Sequence, residues 1–204
     1  LFPYTTLFRS LINMIPGSDQ SSALQVVLRE PSYDNLGNIV KDAVILDFGE
    51  NLAGRVSLVP KGKPGDTIRV RYAERLNADG TLYTANLRDA RSEDVYICGT
   101  LQRSGSAAAS AGSDARWQAT FVTHGFRYAE VAGPAADVRA ELIGDAMDVS
   151  GTFECSDTVL NAVVANARRG IAANYKGMPV DCPQRNERQP WLGDRPVGAL
   201  GESF

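Results

Sequence analysis

DTIRVRYAER, residues 66–75, alternates. Ile68, Val70 and Tyr72 fall on one side of an extended chain, and Thr67, Arg69 and Arg71 on the other. Successive side chains of a strand point to opposite faces, so this period of two reads as a strand with one buried face. Runs rich in Val, Ile, Tyr and Phe recur around it: ALQVVLRE (23–30), DAVILDFG (42–49), GRVSLVP (54–60), EDVYICG (93–99), WQATFV (117–122), FRYAEVAG (126–133) and VRAELIG (138–144). Turn chemistry separates them at Asn35-Leu36-Gly37-Asn38, at Lys61-Gly62-Lys63-Pro64-Gly65-Asp66 and at Asn77-Ala78-Asp79-Gly80. Many short strands divided by such turns predict a mainly β chain, an antiparallel β-sandwich domain over residues 11–145. RSGSAAASAGSDA (103–115) is low in complexity and reads as a flexible loop within that domain.

The pattern changes after Cys155. Ser156 is a suitable N-cap for the run 157–175, in which Val159, Leu160, Val163, Val164 and Ala167 recur at helical spacing while Asn161, Asn166 and Arg168 lie off the stripe. Pro179 and Pro183 forbid a continued helix. Residues 146–204 are therefore expected to open a second, helical domain. One or two helices have nothing to bury an apolar stripe against, so that domain is expected to be truncated here.

Composition narrows the function. The chain has 204 residues, 44% of them hydrophobic, with a net charge of −3, so it is globular and carries no basic field to recruit nucleic acid. No apolar run is long enough to span a bilayer, so no membrane partner is expected. Cys98, Cys155 and Cys182 lie far apart with no CxxC pair, which argues against a zinc site and a disulfide framework. No metal and no cofactor is expected. LFPYTTLFRS (1–10) resembles a translated sequencing adapter and is set aside as an artefact expected to make few contacts with the sandwich. Both ends of the chain are then arbitrary, and neither compartment nor oligomeric state is legible.

Chemistry concentrates in DCPQRNERQPWLGD (181–194). Glu187 stands between Arg185 and Arg188, with Asp181 and Asp194 on either side, and bends at Pro183, Pro190 and Gly193 can make these side chains converge. Trp191 offers a flat apolar face suited to a sugar ring, carboxylates and Arg can hold vicinal hydroxyls, and a carboxyl beside an apolar wall can serve as general acid. A solvated surface loop of paired Arg and Glu would have the same composition.

The loop resembles the DCPQRDERLGWTGD motif of the α-L-rhamnosidases, glycoside hydrolase family seventy-eight. DFGENLAGRVSL (47–58), the stretch 65–99 with its DGTLYTANLR, TFVTHGFRYAEVAG (120–133) and GTFECSDTVLNAV (151–163) resemble further family stretches in the same order. The resemblance implies a sandwich leading into an (α/α)6 barrel, and inverting hydrolysis of terminal α-L-rhamnosides. In that scheme a carboxylic acid protonates the leaving oxygen while a carboxylate roughly 6.5–9.5 Å away activates water. Carried over, Glu187 is the acid, Asp181, Arg185 and Asp194 hold the rhamnose hydroxyls, and Trp191 forms part of the pocket wall. The family's base is a glutamate far downstream, outside this chain; Glu202 is too close in sequence to replace it, so the chain alone is expected to be inactive. Asn186 stands where the family motif has an acid, Gln189-Pro190 where it has Leu-Gly, and Leu192 where it has Thr, which leaves the exact sugar and aglycone open.

Two other readings stay open: a non-catalytic carbohydrate-binding sandwich, and a related barrel that cleaves another sugar linkage, by elimination if the substrate is a uronate. His124, the only histidine, is expected to be structural, since one histidine builds no metal site. Asp47 and Asn51 fit no calcium-loop spacing and are expected to form a turn.

Overall fold

A computed structural model describes residues 25–28, 32–33, 39–40, 43–99, 116–146, 148, 150–191 and 193. The adapter-like segment 1–10, the turn at 35–38, the loop 103–115, Leu192, Asp194 and Glu202 lie outside the described residues. The chain is mainly β with antiparallel sheets and one helix among the described residues, consistent with the expected sandwich.

The frame is one seven-stranded sheet. β1 (Gln25–Leu28), β4 (Val44–Pro60), β10 (His124–Ala132), β5 (Thr67–Ala73) and β8 (Glu93–Ile97) lie side by side, and β9 (Trp117–Gln118) and β11 (Ala135–Leu142) pair with β4. Two short ribbons flank it, β2 (Ser32–Tyr33) with β3 (Ile39–Val40) and β6 (Arg75–Leu76) with β7 (Leu82–Tyr83). The alternation in β5 has the expected consequence: Ile68, Val70 and Tyr72 are all wholly buried. Each apolar side chain so removed from water contributes about 1.5–3 kcal/mol.

The two strands expected at 42–49 and 54–60 are one strand of 17 residues. The break read between them is a bulge: the register with β10 shifts between Phe126 and Tyr128, opposite the Phe48–Asn51 stretch. There Gly49 takes φ 82°, and its N–H donates to Asp47 Oδ1 at 2.8 Å. Asp47 also accepts from Arg127 Nε and Nη2 at 2.8 and 2.9 Å, and Asn51 donates to Glu74 at 2.8 Å, so where a turn was expected the pair sits in a strand bulge tied to neighbouring segments. The Arg127 guanidinium holds the Asp47 carboxyl below the usual carboxylate range. Because β4 is continuous, Leu46 and Leu52 share one core with Val56 and Leu58, roofed by Val138, Ala140 and Leu142 of β11.

Two other boundaries differ. The run 117–122 is a strand only at Trp117–Gln118; Ala119 spends its carbonyl on Arg55 Nη1 at 2.8 Å, and Phe121 turns out into solvent with φ 61°. Helix α1 (Thr158–Asn174) is capped by Asp157 rather than Ser156, the Asp157 carboxylate accepting from the N–H groups of Val159 and Leu160 at 2.8 and 3.2 Å. It is not long and apolar enough to cross a membrane.

His124 is buried, as expected of a structural histidine. Its Nε2 lies 3.1 Å from Asp94 Oδ1, its Nδ1 3.3 Å from Ser92 Oγ, and its ring stacks on Tyr72 at 4.0 Å. Tyr72 donates to Asp94 Oδ2 at 2.6 Å. Burial, and then the Asp94 carboxylate, push the Tyr72 phenol far above its ordinary value, so it serves as a neutral donor.

Candidate active site

Helix α1 docks by its polar side. Asn161 is tied to the backbone of Cys155, Arg168 donates to the Gly151 carbonyl at 2.7 Å, and Arg169 pairs with Glu50 on β4 at 2.9 Å. The apolar stripe read from the sequence looks away: Val159, Leu160 and Val163 are exposed at 69, 50 and 56%.

The chain leaves α1 at Tyr175 in an extended conformation and bridges back at Pro179. Val180 N–H donates to the Asn174 carbonyl at 2.8 Å, which returns the strand to the helix end. From there residues 181–189 form a closed loop. Asp181 N–H donates to the Gln189 carbonyl at 3.1 Å, and Gln189 N–H donates to Asp181 Oδ1 at 2.7 Å. Arg188 makes the bend with φ 48° and donates from Nε to the Arg185 carbonyl at 2.9 Å.

The sheet supports the loop from below. A side chain added at Gly125, next to His124 on β10, would place its first carbon 2.9 Å from the Gln184 backbone nitrogen. So the HGFRY strand, distant in sequence, lies directly against the loop.

Four of the five residues singled out from the sequence converge here: Asp181, Arg185, Glu187 and Trp191 line one open cleft of about 910 Å³, walled on the far side by Ala167 and Ile171 of α1. The fifth, Asp194, lies outside the described residues. Glu187 accepts on both oxygens. Trp191 Nε1 donates to Oε1 at 3.2 Å, while Arg185 Nη2 and Arg88 Nη1 lie 2.9 and 3.1 Å from Oε2. The wall beside the carboxyl is thus cationic as well as apolar, where the sequence suggested an apolar wall alone. Arg185 also donates from Nε to Cys182 Sγ at 3.2 Å and lies 3.5 Å from Asp181 Oδ2. The guanidinium therefore sits among Asp181, Cys182 and Glu187, whose ligand atoms are all within 4.8 Å of one another. A cation is already in the place a metal would take.

Asp181 is half committed. Its Oδ1 serves the loop, and among the described residues its buried Oδ2 is met only by the long 3.5 Å ion pair with Arg185. Burial works to raise its pKa, but contacts with the Cys182 thiol, the Gln189 N–H and Arg185 outweigh it and hold the carboxyl below the usual range. An ionised carboxylate at the rim of a cleft accepts from a sugar hydroxyl once the substrate or a side-chain shift uncovers it.

Nothing in the sequence assigns a role to Arg88, Asp89 or Asn186. Asn186 Nδ2 donates to Asp89 Oδ1 at 2.6 Å, beside the Arg88–Glu187 contact. No periodicity marks these residues; the one signal was the position of Asn186, where a second acid would have met Asp89.

Lys176, at the loop's entrance, gives a pH signature. Burial, reinforced by the nearby Arg188 charge, pushes its pKa from 10.5 down to about 8. An unfolded chain keeps the ordinary value, so between pH 8 and 10.5 it binds this proton more than the folded chain does. The cost of the buried charge is full below pH 8 and is relieved as pH rises through the window. Thermal melts across it should show a rise in stability that Lys176→Met removes; equal slopes in the two proteins would contradict this.

Comparison with known proteins places this architecture. Residues 38–148 match the family described as the bacterial alpha-L-rhamnosidase concanavalin-like domain, and residues 148–204 the bacterial alpha-L-rhamnosidase 6 hairpin glycosidase domain. An alpha-L-rhamnosidase of Formosa agariphila is 37% identical over 166 residues, covering 76% of this chain and 16% of the relative. The structure of alpha-L-rhamnosidase from Dictyoglumus thermophilum superposes with a TM-score of 0.71 at 29% identity, over 88% of this chain and 19% of that one. The Streptomyces avermitilis alpha-L-rhamnosidase complexed with L-rhamnose does so with a TM-score of 0.68 at 35% identity, over 79% and 15%. This chain thus spans about a sixth of the length of the curated relatives it matches. With the β frame and the loop that carries Glu187 both matched in order, the chain belongs to the bacterial α-L-rhamnosidase family, glycoside hydrolase family 78.

Proposed function

We propose that this chain supplies the acid half of a glycosidase site that removes terminal α-L-rhamnose, the sugar bound in the Streptomyces avermitilis structure. In this reading residues 11–145 are the sandwich domain and residues 146–204 begin an (α/α)6 barrel. The exposed stripe Val159, Leu160 and Val163 is then the face that packs against further barrel helices.

The observation that carries the proposal is the convergence on one cleft of a carboxyl, an indole and a second carboxylate: Glu187, Trp191 and Asp181. Glu187 is the general acid. Its Oε2 is taken by two guanidinium groups, so the proton it delivers to the leaving oxygen is carried on Oε1. Asp181 and Arg185 hold ring hydroxyls, Trp191 backs the sugar, and Asp194 is proposed to hold a further hydroxyl.

Asp181 is not the opposing base. Its carboxylate and that of Glu187 come within 4.8 Å, too close to admit both the sugar's anomeric carbon and an attacking water between them. Inversion needs roughly 6.5–9.5 Å between the two carboxyls. The base must come from elsewhere in a barrel, so the 204-residue chain alone should hydrolyse nothing. A protein carrying this chain within a complete six-hairpin domain should hydrolyse nitrophenyl α-L-rhamnoside and release the sugar with inverted anomeric configuration, seen by proton NMR of the first product. A retained anomer would make Asp181 a nucleophile and overturn the assignment. Rhamnose binding with no turnover would favour the non-catalytic reading, and turnover of a uronate or another glycoside in its place would favour the other-linkage one.

A further inference from the structure

A short 3-10 turn, Ala85–Leu87, fixes a point on the sheet domain. Leu87 is buried, and Asn86 Nδ2 donates to Glu74 Oε2 at 2.9 Å, while Glu74 Oε1 accepts from Asn51 of β4 at 2.8 Å. The next residue, Arg88, has φ 59° and ψ −121°, a backbone conformation that L side chains adopt at a cost. That cost has no local return. The Arg88 side chain is 60% exposed, and exposed ion pairs stabilise a fold little.

What the strained backbone achieves is direction. It sends the guanidinium to Glu187 Oε2, 99 residues along the chain, and sets Asp89 to receive Asn186. Two consecutive residues of the sheet domain thus hold two consecutive residues of the acid loop. Arg185, the other cation on Glu187, belongs to the loop and is tied to Cys182, so it would move with the loop. Arg88 holds Glu187 from outside it.

We propose that Arg88 is a positioning residue for Glu187: it occupies Oε2 and so leaves Oε1, beside the Trp191 N–H, as the oxygen that faces the leaving group. This rests on the acid role proposed above and extends the site onto the sheet domain.

Arg88→Gly tests it, because glycine suits the backbone at this position and removes the side chain without adding strain. The first readout needs no activity. In the 204-residue chain labelled with 5-fluorotryptophan, Trp117 and Trp191 give two fluorine resonances. Arg88→Gly should shift that of Trp191 and leave that of Trp117 in place, and Arg88→Lys should shift it less. An unmoved Trp191 resonance overturns the proposal. The second readout is kcat in a protein with a complete six-hairpin domain. Arg88→Gly should lower it by about tenfold or more on alkyl rhamnosides and by less than about threefold on nitrophenyl rhamnoside. If Glu187→Gln shows that leaving-group dependence and Arg88→Gly does not, Arg88's role alone is overturned. If Glu187→Gln does not show it either, the acid assignment falls and takes Arg88's role with it.

Discussion

Glu187→Gln is expected to lower kcat on an alkyl α-L-rhamnoside by about two to four orders of magnitude, the usual share of general acid catalysis. The glutamine cannot deliver a proton at Oε1, and an alkoxide leaves poorly without one. The substitution also disturbs the pocket. In one amide orientation the NH₂ faces Arg185 and Arg88, and in the other it faces the Trp191 N–H. Fluorescence of Trp191 and the rhamnose dissociation constant should therefore be measured on the same variant. A large fall in kcat with nearly unchanged sugar binding is the expected pair. A comparable loss confined to KM would mean that Glu187 holds the sugar and does not act on the leaving group.

Among the described glycines, Gly54→Ala should cost the fold most. Gly54 is where β4 faces His124 of β10 and Leu142 of β11. A side-chain carbon placed there would come within 1.9 Å of the Glu141 carbonyl oxygen and 3.2 Å of the Leu142 Cα, all backbone. Backbone cannot move aside as a flexible side chain can, so the strands must part. Overpacking commonly costs about 1–3 kcal/mol, and a backbone clash belongs at or beyond the top of that range. For a chain of this size each kcal/mol lowers the midpoint of melting by about 2–4 °C, so a fall of about 10 °C or an unfolded product is expected. Gly99→Ala is the control, since nothing lies within 4 Å of an added carbon there. Equal melting temperatures for the two variants would show that β4 and β11 are not packed as described.

The sheet was legible in the sequence because its signal is local. Ile68, Val70 and Tyr72 alternate within a single strand, and the turns at 61–66 and 77–80 close as their residues demand: Asp66 N–H reaches the Lys63 carbonyl, and Gly80 N–H the Asn77 carbonyl. The continuity of β4 was not legible, because Gly49 looks like a strand end unless one knows that β4 bulges there and resumes its pairing with β10. The helix was found but its orientation was not. An apolar stripe is expected to face the nearest core, yet Asn161, Arg168 and Arg169 face the rest of the chain and the stripe stays open. The cap fell one residue off because Ser156 and Asp157 are both good caps, and only backbone geometry selects between them. In the candidate site, Asp181, Arg185, Glu187 and Trp191 could be named because they crowd eleven residues, 181–191. Arg88 and Asp89 could not, because nothing local links a residue to a partner 97 or 99 positions away.

The most direct test of the acid assignment sets two carboxylates side by side. Glu187→Gln and Asp181→Asn would each be measured on a series of aryl and alkyl α-L-rhamnosides of graded leaving-group pKa, in a protein that carries this chain within a complete six-hairpin domain. Asparagine keeps an acceptor for the Gln189 N–H, so the loop should hold its shape in the second variant. The account predicts that the Glu187→Gln loss grows steeply as the leaving group becomes more basic and nearly vanishes for nitrophenolate. The Asp181→Asn loss should be the same across the series, because a hydroxyl contact to the sugar does not depend on what departs. A flat series for Glu187→Gln together with a steep one for Asp181→Asn would contradict the account and move the acid to Asp181.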